Sequence, residues 1–188
     1  MDSRSGRPFN ACVTDDGKER SMLTVFQGVT LMASALSMGL MAGVFGLYAH
    51  TIMPGLRHTD DRTFVGAFQS IDRAIINPWF MLSFVGALLV TGVAAALHLA
   101  GDSQSALPWI AIALVLYLAV FVVTIAINVP LNDAIKAAGD PDRISDLAGV
   151  RERVDEVRWA SWNVFRAVAT TVAFGCLAWA LVEYGCGF

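Results

Sequence analysis

Four long apolar runs dominate the chain, at positions 22–48, 78–99, 108–128 and 159–184. A helix needs about 20 predominantly apolar residues to cross a bilayer, and each run meets that length. The first three carry no Asp, Glu, Lys or Arg; the fourth carries Arg166 near its start and Glu183 at its end. The pattern predicts an all-α fold, a four-transmembrane-helix bundle. The first run is too long for the apolar core of a signal peptide, and no A-x-A follows it.

The links between the runs differ. Residues 100–107 (AGDSQSAL) form a short polar turn, so the second and third spans are antiparallel neighbours. The other two links are longer and patterned. In the first, Thr59, Asp60 and Asp61 offer helix caps, and Phe64, Phe68, Ile71 and Ile75 follow at helical spacing. In the second, Asp140-Pro141 places a cap before a proline at the first helical position. Behind it Ile144, Leu147, Val154 and Val157 form one apolar stripe. Two amphipathic helices are therefore expected in the long links, on one membrane side. The two halves echo each other: a span, an X-Pro break (Met53-Pro54, Val129-Pro130), an Asp-capped amphipathic helix and a second span. Gly39, Gly43 and Gly46 have small-xxx-small spacing, which serves close packing within the chain or a homo-oligomer.

Residues 1–21 mix both charges without an apolar period and read as a disordered polar tail, leaving residues 22–186 as one membrane domain. Composition agrees: 56% of the 188 residues are apolar and 15% charged, with a mean hydropathy of +0.59, against about 25% charged in a soluble domain. The net charge of −3 gives no electrostatic reason to bind nucleic acid. Cys176 and Cys186 lie about 15 Å apart on a continuous helix, too far to bridge. Arg4, Arg7, Lys18 and Arg20 flank the bundle on the side of the ends. The long links carry Arg57, Arg62, Arg73, Lys136, Arg143, Arg151, Arg153 and Arg158. By the positive-inside rule the long links face the cytoplasm.

Charged and amide groups inside spans are costly: an Arg at a helix centre costs roughly 2.5–3.5 kcal/mol on the insertion scale. Trp159, Trp162, Asn163 and Arg166 fall at i, i+3, i+4 and i+7, one face of one helix. His50, Asn77, Asn128 and Asn132 lie toward the same, long-link side. One polar mouth is expected where the four spans converge, with Asp60, Asp61 and Asp133 in the segments covering it. Each member also has a plain reading. Asn77-Pro78 is a helix cap, Asn128 satisfies loose carbonyls before a proline, Arg166 pairs with an acid of the amphipathic helices, His50 is a helix-end histidine, and Trp79, Trp159 and Trp162 are interface aromatics. No metal-ligand spacing occurs: His50 and His58 flank Pro54, and His98 lies at the other end near Glu183. Neither a metal nor a cofactor is expected.

The string YAHTIMPGLRHTDDRTFVGAFQSIDRAIINPWF, then NVPLNDAI, then RWASWNVFRA resembles the DUF1772 family, the anthrone-oxygenase-like integral membrane proteins. The markers are Met53-Pro54-Gly55-Leu56, Asn77-Pro78, the string from Asn128 to Asn132, and Trp162-Asn163 with Arg166. The resemblance spans roughly residues 22–184. It implies, for some members, a cofactor-free conversion of an anthrone to an anthraquinone; most bacterial members have no assigned role. An anthrone has an acidic methylene whose carbanion reacts with O2, so a protein needs a base, donors for the oxyanion and an apolar slot. On that reading His50 is the base, with Asp60 or Asp61 as substitutes or the enolate forming unaided. Arg166, Asn163 and Asn128 are oxyanion donors, Trp159 and Trp162 are ring-stacking walls, and Asn77 and Asn132 complete the substrate site. The partners are then the bilayer, a small lipophilic aromatic substrate and O2. The competing reading is a non-catalytic membrane component that binds a partner protein or lipid through its amphipathic helices; a third, a transporter, needs an oligomer to line a path.

Overall fold

The computed structural model describes residues 10–101 and 104–186. Its elements are helices α1 (Asn10–Leu47), α2 (Met53–Arg57), α3 (Asp61–Ile75), α4 (Pro78–Ala100), α5 (Leu107–Val123), α6 (Val129–Ala137), α7 (Leu147–Val154) and α8 (Glu156–Cys186). Two π-helical turns, Tyr48–Ile52 and Thr124–Asn128, join α1 to α2 and α5 to α6. Among the described residues there is no strand. Four helical runs, Gly17–Arg57, Pro78–Ala100, Leu107–Ala137 and Leu147–Cys186, are long and apolar enough to cross a membrane. The protein is an integral membrane protein with a four-helix bundle.

The four long helices stand at the corners of a square: α1 and α5 each pack against both α4 and α8. Lipid tails are as apolar as leucine, so helix contacts here depend on close fit, and small residues permit it. Ala35, Ala87, Ala94, Ala113, Ala173 and Ala180 are all buried between helices, around Leu31, Met38, Met41 and Leu177. The Tyr117 hydroxyl donates to the Phe84 carbonyl at 2.9 Å, so this buried phenol is satisfied. Outward, Leu36, Leu40, Leu82, Leu89, Val115 and Val168 are exposed, the face expected toward lipid. Gly39 is the member of the small-residue series that packs within the chain. A Cβ at Gly39 would sit 3.1 Å from the Phe174 ring, whereas Gly43 and Gly46 would meet nothing within 4 Å. Gly39→Leu is expected to destabilise the α1–α8 contact by about 1–3 kcal/mol. Gly43→Leu is expected to change little, and unfolding in mixed detergent micelles separates the two.

A second core caps one end of the bundle. Phe64, Val65 and Phe68 of α3, Ile135 of α6 and Val150 of α7 bury against Met53 and Trp159. The first amphipathic helix starts as expected: Asp60 accepts from the Thr63 amide at 2.8 Å, a bond that holds its carboxyl below the usual range. The second differs from expectation. Asp140-Pro141 opens a turn, in which the Arg143 amide bonds the Asp140 carbonyl at 2.9 Å. The helix begins instead at Leu147, where Asp146 accepts from the Gly149 amide at 2.9 Å. Asp followed by Pro is as good a type I turn signal as a helix cap, and the turn won. Asp155, in the left-handed region at φ 48°, then resets the helical phase before α8. Val157 therefore leaves the stripe and is exposed, while the side chain of Val154 lies outside the described residues. In the polar stretch before the first span, α1 begins at Asn10, and residues 1–9 lie outside the described residues.

The X-Pro sites explain the π turns. A proline inside a helix has no N–H to donate and its ring crowds the carbonyl four residues back. Just before each proline the chain widens, so that the Met53 amide reaches the Tyr48 carbonyl and the Val129 amide reaches the Thr124 carbonyl. The helix continues through the proline without a break. Both halves thus run in the same order: long helix, π turn, short helix, cap helix, long helix.

Candidate functional site

Below the cap lies a cavity of about 160 Å³. Asn128, Asn132, Trp159, Asn163 and Arg166 all line it, with Phe45, Tyr48, Phe68, Phe80 and Thr124. The π turns supply Tyr48, Thr124 and Asn128 to its wall, and π turns are frequent where helices build sites.

Arg166 lies at the centre of the polar groups and is only 5% exposed. Its Nη2 donates to Asn163 Oδ1 at 2.9 Å and its Nη1 to Thr124 Oγ1 at 3.3 Å. The Thr124 hydroxyl is free to accept because its own proton goes to the Val120 carbonyl at 2.8 Å. Asn163 in turn donates to the Phe45 carbonyl at 3.1 Å, tying α8 to α1. The guanidinium carbon stands 4.6 Å from the Phe45 ring centroid and 5.5 Å from that of Trp159. Stacking over aromatic faces is worth about 2 kcal/mol when desolvated. An unpaired buried ion loses several kcal/mol of hydration. Neutral acceptors and rings hold the cation but do not neutralise it. Among the described residues Arg166 forms no ion pair, so the expected tie to an acid of the cap helices is not made. Its Nε and the nearby acceptor Asn128 Oδ1 are both buried with no partner among the described residues.

A carboxylate that the residue pattern did not single out lines the same cavity. Asp72 on α3 is 6% exposed. Its Oδ1 accepts from Asn132 Nδ2 at 2.6 Å and its Oδ2 lies 2.9 Å from Lys136 Nζ. Asn132 Oδ1 accepts from Trp159 Nε1 at 2.7 Å, so α3, α6 and α8 are joined in one polar chain. Lys136 also pairs with Asp133 at 2.9 Å. Gln69, one turn before Arg73 on α3, donates to the Ile135 and Gly139 carbonyls at 2.8 and 2.9 Å and pins α3 to the end of α6.

Three residues expected in the mouth are elsewhere. His50 is exposed, with Nδ1 2.6 Å from its neighbour's Thr51 Oγ1, and does not line the cavity. At 100° per residue it falls about 200° from Tyr48, which takes the inward face. Asn77 is a helix cap: its Oδ1 accepts from the Trp79 and Phe80 amides, both at 3.0 Å. Trp162 packs edge-on against Phe165, 5.9 Å away, outside the cavity. At 100° per residue it falls about 60° from Trp159, on the opposite side from Asn163, and turns off the buried arc. The substitute acids are also committed: Asp60 caps α3, and Asp61 pairs with Arg151 at 3.1 Å. His50→Ala is therefore expected to leave ligand binding in the cavity unchanged within twofold, read by quenching of tryptophan fluorescence. Among the described residues no group of His, Cys, Asp and Glu is placed to hold a metal ion. At the far end of the bundle His98 is buried, its Nδ1 2.7 Å from the Ala94 carbonyl.

Fold and site together define a four-span membrane protein with an aromatic-walled chamber, under a helical cap, that holds a cation with no ion-pair partner among the described residues. A family model described as anthrone oxygenase matches residues 80–176, more than half of the chain, and the protein belongs to that family. The matched stretch contains Asn128, Asn132, Trp159, Asn163 and Arg166; Phe45, Tyr48, Phe68 and Asp72 precede it. No curated protein and no solved structure matches the chain.

Proposed function

We propose that this protein is a cofactor-free oxygenase of the anthrone type, which oxidises the acidic methylene of a lipophilic aromatic ketone to a second ketone with O2. The observation that carries the reading is Arg166: a guanidinium buried among rings, with its Nε–H unused and no carboxylate paired to it among the described residues. Such a group favours a ligand oxygen that gains negative charge, the role of an oxyanion donor. Loss of a methylene proton leaves an electron pair delocalised onto the ketone oxygen. The carbanion form of this enolate adds to O2 to give a hydroperoxide. Cleavage of the O–O bond with loss of the second methylene proton forms the new C=O and releases water. One O2 is consumed and one water is formed per ketone made. Asn163 and Thr124 hold the guanidinium in place, and Trp159, Phe45 and Phe80 supply the apolar slot.

Size limits the fit. An engineered cavity of about 150 Å³ takes benzene, so about 160 Å³ holds roughly one ring. A polycycle enters with its ketone inward and its outer ring beside Ile76 and Val129, which line the cavity and are exposed. Burial of Phe64, Val65, Phe68, Ile135 and Val150 of the cap helices within the chain supports this reading over a non-catalytic one that binds a partner through those faces. By the balance of Lys and Arg, the cap faces the cytoplasm. The test is turnover by the purified protein in lipid nanodiscs. Anthrone should be converted to anthraquinone with one equivalent of O2 consumed, faster than in empty nanodiscs and without added metal or flavin. No acceleration over empty nanodiscs removes the reading.

A further inference from the structure

Oxidation of an anthrone needs a group that takes the methylene proton, and His50, Asp60 and Asp61 do not reach the cavity. Asp72 does. It faces the same small space as Arg166, yet the two form no ion pair. Opposite charges that line one site of low polarity attract each other, and here each is held by groups of its own. Asp72 is held by Asn132 and Lys136 of α6, and Arg166 by Asn163 and Thr124. The charges that face Asp72 are Lys136, with Asp133 behind it, and Arg166 of α8 across the cavity. Separated charges in one chamber match a substrate with two reacting ends. In an anthrone the ketone oxygen and the methylene carbon sit on opposite corners of the central ring, so the donor for one and the base for the other must stand apart.

We propose that Asp72 is the catalytic base: its carboxylate takes the methylene proton while the ketone oxygen meets Arg166. This rests on the oxygenase reading of the same site. The C–H bond breaks, its electron pair moves into the ring and onto the oxygen, and the proton goes to Asp72. The hydrogen bond from Asn132, itself fixed by Trp159 Nε1, aims the carboxylate. The file Asp72–Lys136–Asp133 leads from the buried carboxylate to one 62% exposed, so the proton has a route to water.

The experiment compares wild type with Asp72→Asn in nanodiscs, with anthrone as the probe. The variant is expected to lose about 10²–10⁴-fold in kcat near neutral pH, the range of general-base catalysis, with KM changed little. The loss should shrink as pH rises and solvent ionises the substrate, because a ready-made enolate needs no base. Anaerobically in D2O, wild type should exchange the methylene protons of anthrone faster than buffer does, and the variant should not. If wild type turns anthrone over and Asp72→Asn matches it at neutral pH, Asp72 is not the base and the oxygenase reading stands. A loss that high pH does not relieve assigns Asp72 a structural role and overturns the proposal. Absence of exchange by wild type also overturns it. If wild type exchanges protons but does not oxidise anthrone, the oxygenase reading fails and the base survives. Asp72→Ser, which keeps an acceptor for Asn132, takes the place of Asp72→Asn if that variant is not recovered folded.

Discussion

Replacing Arg166 by leucine is expected to lower kcat/KM for anthrone oxidation by about 10²–10³-fold, the usual cost of deleting an oxyanion donor. Leucine restores apolar volume beside Phe45 and Trp159, so packing is largely kept. Three polar atoms lose their partner or their prospect of one: Asn163 Oδ1, Thr124 Oγ1 and the substrate oxygen. The first two are neutral and cost about 1–3 kcal/mol at most where they are left unsatisfied. Removing an unpaired charge from a low-polarity interior offsets that cost or exceeds it, since the ion no longer has to be desolvated. Stability should therefore change little or rise while turnover collapses. Thermal unfolding followed by circular dichroism, alongside O2 uptake, checks both halves. Arg166→Lys keeps the charge but not the stacking or the fork of donors, and is expected to recover only part of the rate. Equal turnover by wild type and Arg166→Leu would remove the cation from the mechanism.

Trp159→Ala should produce the largest loss of stability, about 3–5 kcal/mol. The indole is buried where the bundle meets its cap. It lies 5.4 Å from the Phe68 ring and 5.8 Å from that of Tyr48, and its Nε1 donates to Asn132. Truncation opens the chamber, removes a ring from beside Arg166 and frees Asn132, which then no longer aims Asp72. Trp159→Phe separates these effects. It keeps a ring but strands Asn132 Oδ1, and about 1–3 kcal/mol is expected from that alone. Denaturation in mixed micelles gives both values. Limited proteolysis within α3 should quicken for Trp159→Ala, because the cap loses its central contact.

Much of this was legible from residue order. Four apolar runs dictated four spans, since nothing else accommodates such runs with so few charges. The face holding Trp159, Asn163 and Arg166 followed from helical spacing, and all three reach the cavity. Two kinds of information were hidden. One was phase. The left-handed residue Asp155 rotates the helix beyond it, so Val157 leaves the face a uniform helix would give it, and His50, at the right depth in the bundle, falls about 200° around the helix from Tyr48. The other was Asp72. It stands four and eight residues after Phe68 and Phe64, in register with the buried stripe, and that spacing was the available signal. A carboxylate in an apolar register is easily read as belonging to the wet face beside it. Its partners, Asn132 and Lys136, come from a helix sixty residues away, which local periodicity does not reveal.

The two widened turns carry a consequence for chain length. Each holds one residue more than an ordinary turn would need. Five residues of such a turn cover about the angle that four cover in an α-helix, so winding 124–128 regularly without removing a residue would swing everything beyond by about 100°. Asn132 would swing away from Asp72 and Ile135 out toward water, although no side chain of the chamber had been substituted. The chamber thus depends on the widened turn taking up its extra residue, and is written partly in spacing rather than in side chains.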